Sequence, residues 1–430
     1  MPADVSSTRI DEATESLNTK KFYLLLLFVS LIGAIGALMM IAFFFLEDIL
    51  TALIWNDIPI ESLSPVFNPL ILVICVIGGL GVGLVRRYFH GEIAIMAEDL
   101  IEFNKEGRFG LKRGIELFIR GLVSLVSGAP LGPEAPLTVS AGAVGTLIAE
   151  KAHMPTPVVT LSSLSAISGF FGAFLSSPFG GALIFIETTL EKGIMTWKAI
   201  LPSIVAATAG FAVYFMVSGS FIGSMFSLPV YEGFRTIDLL YAIGLGLLGG
   251  ACGILFIIMY KKMRAIFEPM ENRPVLLGLL GGLGIGVAGI LLPLTLFMGS
   301  DQLQFLIDHY LEVSLFLLFT LVIAKIVLIT FSFSTGFAGG YIFPGFFIGG
   351  TLGILVFRLF PFIPLAVCLV CVIAGVSVSL LRSPIALAMI IAIVFDPELI
   401  PAMAIALVMG FIVSYTYSLP YTRKADREVG

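Results

Sequence analysis

SGAPLGPEAPLTVSAGAVG, residues 127–145, and TGFAGGYIFPGFFIGGTLG, residues 335–353, carry the same punctuation. Gly128, Gly132, Pro136, Gly142 and Gly145 of the first fall on Gly336, Gly340, Pro344, Gly350 and Gly353 of the second, an offset of 208 positions in every case. Ser177-Pro178 and Ser383-Pro384 repeat at nearly the same spacing. Apolar segments broken by Gly and Pro at matching places in two halves of a membrane chain point to a transport site near the bilayer midplane. The first copy also holds a carboxylate, Glu134, inside an otherwise apolar run.

Composition places the chain in the membrane. Hydrophobic residues make up 58%, charged residues 12%, and mean hydropathy is +1.07, whereas soluble domains are about 25% charged. The uncharged runs 154–186, 199–231 and 326–357 exceed the roughly 20 residues of one spanning helix. Each must hold more than one helix, divided at Pro178 with Gly180-Gly181 and at Gly339-Gly340 with Pro344. The expected fold is an all-α, multi-pass integral membrane protein of tilted, short and broken helices, about a dozen or more, in two halves. Residues 1–20 read as a polar cytoplasmic segment without a cleavage site, 21–265 and 266–422 as the two transmembrane halves, and 423–430 as a cytoplasmic tail, with no appended soluble domain. Lys20-Lys21, Arg86-Arg87, the stretch from Lys105 to Arg113 and Lys261-Lys262 with Arg264 mark cytoplasmic loops by the positive-inside rule. That orientation suits a prokaryotic inner membrane. A net charge of -5 says little about partners, and nothing suggests nucleic acid.

Cys75, Cys252, Cys368 and Cys371 all lie in apolar runs. Cys368 and Cys371 have metal or redox spacing, but no histidine or second cysteine pair lies near, so they read as packing residues. No metal and no cofactor is expected.

In hydrocarbon, an unpaired backbone group costs several kcal/mol, so a helix breaks only where protein or a watery cavity satisfies the freed groups. Freed N–H groups at a helix N-terminus, with the positive end of the dipole, form an anion site that needs no full positive charge. Conduction needs such weak, multiple sites. GPEAPLTV predicts a helix beginning near Pro136, and YIFPGFFI one beginning near Pro344, since proline suits the first helical turn. If the halves are inverted, both N-termini aim at one central point, and Glu134 stands there. A carboxylate at that depth is a functional candidate by default. Burial favours its neutral form and the helix ends its charged form, so one side chain can gate the site and carry a proton. The competing reading is a glutamate that caps the Pro136 helix. Lys325 reads either as a charge that neutralises a carboxylate or draws anions, or as a side chain reaching to the interface.

These residues resemble the CLC family of chloride channels and proton-coupled chloride transporters. Gly132-Pro133-Glu134-Ala135-Pro136 is similar to the family's G-R/K-E-G-P motif, Gly340-Tyr341-Ile342-Phe343-Pro344 to its G-x-F-x-P motif, and the stretch from Ser177 to Glu187 to its A-P-L-A-G-I-L-F-x-x-E segment. The resemblance spans roughly residues 70–420. It implies the CLC fold, a homodimer with one pathway per subunit, Glu134 as the gating glutamate, and anion-coordinating loops around Gly132, Pro133 and Ala135 and around Tyr341, Ile342 and Phe343. The family's central tyrosine has its best match in Tyr421, with Tyr415 and Tyr417 as alternatives. An internal proton-receiving glutamate would fall on Thr188, directly after Glu187. The departures are specific: the Arg/Lys of the gate motif is Pro133, its second Gly is Ala135, and the family's G-S-G-I-P motif, due between Arg87 and Asp99, is HGEIAIMAEDL here. The resemblance therefore implies anion transport, chloride by default with fluoride or nitrate open, by proton-coupled exchange or passive flow. An intramembrane enzyme using Glu134 would need a partner acid, histidine or Ser/Lys pair. The sequence has no HExxH, G-x-S-x-G or paired intramembrane aspartates, so it is read as no enzyme.

Overall fold

The computed structural model describes residues 19–93, 99, 103, 106–190, 199–219, 231 and 233–417. The described residues form fifteen α-helices and three short 3-10 turns, and their one extended pairing is an isolated bridge between two loops. Nine of the helices are long and apolar enough to cross a membrane.

The first half runs α1 (Thr19–Trp55), α2 (Pro69–Phe89), α3 (Leu111–Val126), α4 (Glu134–Lys151), α5 (Thr156–Phe174), α6 (Pro178–Leu190) and α7 (Ile200–Ser218). After α8 (Thr236–Phe267) come α9 (Pro274–Leu291), α10 (Ser300–Asp308), α11 (Leu315–Ser334), α12 (Ile342–Leu359), α13 (Leu365–Leu381), α14 (Pro384–Val394) and α15 (Ile400–Ser414). Proline at the first position opens α2, α6, α9 and α14, where its missing N–H is an orphan in any case.

Packing repeats as the sequence does. In the first half, α1, α5 and α7 pack against one another; α8 does the same with α13 and α15 of the second. Each trio is drawn together at glycines. Gly169 of α5 lies directly on the backbones of Gly33 in α1 and Gly210 in α7, and Gly375 of α13 lies on those of Gly246 in α8 and Gly410 in α15. Without a hydrophobic drive between helices in lipid, such small-residue contacts supply the dispersion energy of association. Next to each trio stands one further helix, α4 against α5 and α12 against α13, and their ranges differ by 208 residues at both ends. These two helices carry the sequence motifs.

Candidate functional site

The loop after α3 turns at Gly128 (φ +83°) and the loop after α11 turns at Gly336 (φ +93°), a left-handed conformation that glycine adopts without strain. The loops then meet. Gly132 N–H donates to the Gly340 carbonyl at 3.0 Å, and Gly340 N–H returns the bond to Gly132 at 2.6 Å. This antiparallel bridge sets the first turn of α4 beside the first turn of α12. Ser124 of α3 fixes the second loop further, its Oγ accepting the Ala338 N–H at 3.1 Å.

Glu134 occupies the meeting point and is fully buried. It lies in the first turn of its own helix, α4, yet its carboxylate reaches across the halves: Oε1 accepts the Phe343 N–H in the first turn of α12 at 3.1 Å. Oε2 is buried without a hydrogen-bond partner and lies over Gly132 and Gly340, where a Cβ on either residue would overlap it. Both glycines thus make room for the acid as well as pairing the loops. The helix beginnings fall two residues before Pro136 and Pro344, so both prolines sit third in their helices. Leu137 and Gly345 already bond back to Pro133 and Tyr341, and proline has no N–H. Each helix therefore has two amides that no carbonyl of its own helix takes, those of Glu134 and Ala135 and those of Ile342 and Phe343, and the Phe343 amide is spent on Glu134. An anionic group here is held by two helix N-termini, with phenyl rings close by: the Phe343 ring lies 5.0 Å from that of Phe174 and 5.5 Å from that of Phe346.

The other expected site residues separate. Gly132 spends its N–H on Gly340 and Pro133 caps α4 without an N–H to give, so both shape the loop. Ala135 and Ile342 are buried beside Glu134 and Phe343. Tyr341 is the N-cap of α12 and is buried, its ring 6.3 Å from that of Phe256 and 6.4 Å from that of Phe333. Tyr421 lies outside the described residues. Tyr415 and Tyr417 are 62% and 43% exposed, and Tyr415 packs on Phe411 and Arg382. Thr188 lies in the last turns of α6. Glu187, beside it, accepts the N–H groups of Ile385 and Ala386 at 3.1 and 3.0 Å, capping α14 of the other half.

Lys325 corrects the interfacial reading and pairs with no carboxylate among the described residues. Its side chain is fully buried, so it does not reach the interface, and its ammonium donates to three carbonyls, Thr295 at 3.0 Å, Leu296 at 3.3 Å and Phe297 at 2.7 Å. It also lies 4.7 Å over the Phe347 ring. Lysine has three donors, and all three are spent on tying the loop before α10 to α11.

The profile of the voltage gated chloride channel family matches residues 82–415. The chain belongs to that family. The YfeO proteins of Escherichia fergusonii and Shigella flexneri are similar at 27% identity over 396 and 395 residues, covering 89% of this chain and 91% of theirs. Among solved structures, a CLC-type fluoride/proton antiporter superposes with TM-score 0.77 at 19% identity, covering 94% of this chain and 99% of its own. A slow cyanobacterial Cl-/H+ antiporter gives TM-score 0.77 at 18%, covering 96% and 99%. The CLC fold expected from the motifs is thereby the fold of this chain, an integral membrane protein of many passes.

Proposed function

We propose that this protein moves a small inorganic anion across the membrane in exchange for protons, with Glu134 as gate and proton carrier. The observation that carries the reading is the bond from Phe343 N–H to Glu134 Oε1: an acid of the first half lies on a helix N-terminus of the second, where a permeant anion would find its donors. A charged carboxylate fills that position and closes it to other anions. A protonated one loses the attraction of the two helix ends, leaves, and surrenders the free amides of Ala135, Ile342 and Phe343 to the anion. Deprotonation toward one side of the membrane and protonation from the other then couple the two fluxes. Chloride is the default anion, and fluoride is the runner-up: one solved structure of the same fold is a fluoride/proton antiporter, and this chain lacks the G-S-G-I-P motif.

A passive channel is the second reading, favoured by Thr188 at the place where the resemblance puts an internal proton-receiving glutamate. Protein reconstituted in sealed vesicles decides between them. Under a chloride, fluoride or nitrate gradient, an anion electrode and a pH electrode should record protons moving opposite to the anion. Anion flux with a silent pH electrode would leave the passive channel. Thr188→Glu would strengthen coupling if that position receives protons. A homodimer in an inner membrane, both termini cytoplasmic, completes the reading, supported by the family resemblance and the distribution of Lys and Arg.

A further inference from the structure

The loop Thr335–Tyr341 has Glu134 at one end, where Gly340 makes room for the carboxylate, and a second charged side chain at the other. A Cβ on Gly336 would lie 2.7 Å from Nη1 of Arg86. In the first copy of the repeat, the matching Gly128 instead backs onto the indole of Trp55. Related turns of the two loops thus rest on an aromatic ring in one half and a guanidinium in the other. The four Cα–Cα steps from Gly336 to Gly340 span at most about 14 Å.

Arg86 stands in the last turn of α2 and is 3% exposed. Its Nε makes a long contact of 3.4 Å to the Gly91 carbonyl, and its Nη1 is buried with no hydrogen-bond partner. It forms no ion pair among the described residues, although its neighbours are paired. Arg120 lies 3.1 Å from Glu116, Arg113 bonds Glu116 at 2.7 Å and Asp99 at 3.0 Å, and Arg264 faces Glu271 at 3.6 Å. Among these described groups Arg86 is the guanidinium with no carboxylate within ion-pair distance, although Arg120 Nε is likewise buried without a hydrogen-bond partner. A buried cation without a paired counter-ion is disfavoured, Glu116 and Glu271 stand beyond ion-pair distance, and an anion at Nη1 would supply the missing partner. Arg86, His90, Glu92, Arg264 and Glu271 line a cleft of about 1130 Å³ where α2 meets the start of α9, and a turn of the guanidinium would bring the buried Nη1 to it.

We propose that Arg86 holds a second anion site, taking a small inorganic anion such as a halide or nitrate from the cleft and passing it along the Thr335–Tyr341 loop to the amides at Glu134. The proposal rests on the anion-transport reading. Glu116 and Glu271 temper the pull of the guanidinium, which keeps the bound anion exchangeable, as throughput requires.

The test is calorimetric titration of the detergent-solubilised full chain with sodium chloride, sodium fluoride and sodium nitrate, using wild type, Arg86→Gln, Arg86→Lys and Glu134→Gln. Arg86→Gln should raise the dissociation constant of the bound anion at least tenfold, and Arg86→Lys, which keeps the charge but loses the fork of donors, should raise it less. Glu134→Gln should retain the Arg86-dependent binding. Wild-type affinity for all three anions in either folded Arg86 variant overturns the proposal; if Glu134→Gln alone changes binding, the Glu134 site stands and only the Arg86 site falls. No heat from any anion with the wild type would remove both.

Discussion

Glu187 and Ala386 stand in the same relation as Glu134 and Phe343: a carboxylate of the first half accepts a backbone N–H from the first turn of a second-half helix, at 3.0 Å in one case and 3.1 Å in the other. The two acids differ in what surrounds them. Glu134 has one oxygen engaged and the other without a partner, whereas both Glu187 oxygens cap α14, through Ile385 and Ala386. The Glu187 cap is the complete one, and it ties α6 to α14.

Glu187→Ala should therefore act on stability. Losing a charged cap over two amides costs about 1–3 kcal/mol. The thermal unfolding midpoint of the detergent-solubilised protein should fall by several degrees, while the anion preference in vesicles stays that of the wild type. An unchanged midpoint would mean that the cap contributes nothing to the joint between the halves.

Gly340→Ala tests the room made for the acid. A Cβ there overlaps Glu134 Oε2, so the carboxylate cannot lie on the Phe343 N–H, and anion flux in vesicles should fall at least tenfold or lose its proton coupling. Adding Glu134→Ala removes the overlap with the carboxylate and leaves a 3.0 Å approach to the Cβ of that position, which a small shift relieves, and the double variant should recover anion flux without coupling. If Gly340→Ala alone transports like the wild type, the acid does not rest where the loops meet.

Lys325→Met removes an ammonium that binds three carbonyls and leaves those carbonyls buried. The expected cost is about 2–4 kcal/mol, seen as a lowered unfolding midpoint. Relative rates for chloride, fluoride and nitrate in vesicles should be unchanged, since the side chain faces carbonyls and the Phe347 ring. A changed anion preference would return Lys325 to the pathway.

Much of this was legible in the residues themselves. The 208-residue offset of Gly128, Gly132 and Pro136 from Gly336, Gly340 and Pro344 is the offset of α4 from α12, because glycine and proline specify backbone turns that a repeated fold must place twice. Glu134 stood out because an acid in an apolar run has few places to go. Its partner did not, since a backbone N–H has no sequence signature: the competing reading put Glu134 on its own helix alone, and the carboxylate also takes the Phe343 N–H of the other half's helix. Lys325 was misread for the same reason, its three acceptors being carbonyls of Thr295, Leu296 and Phe297. In the sequence Arg86 reads only as a positive-inside charge, and nothing in Arg86-Arg87 tells which of the two turns inward.

The central claim is that one side chain both blocks the anion position and carries the proton. Glu134→Gln keeps the size and the acceptor toward Phe343 but cannot titrate. Anion and pH electrodes read together on vesicles containing this variant should record anion flux equal to or above that of the wild type, with no linked proton movement at any pH tested. Proton movement that still follows the anion in Glu134→Gln would contradict the account.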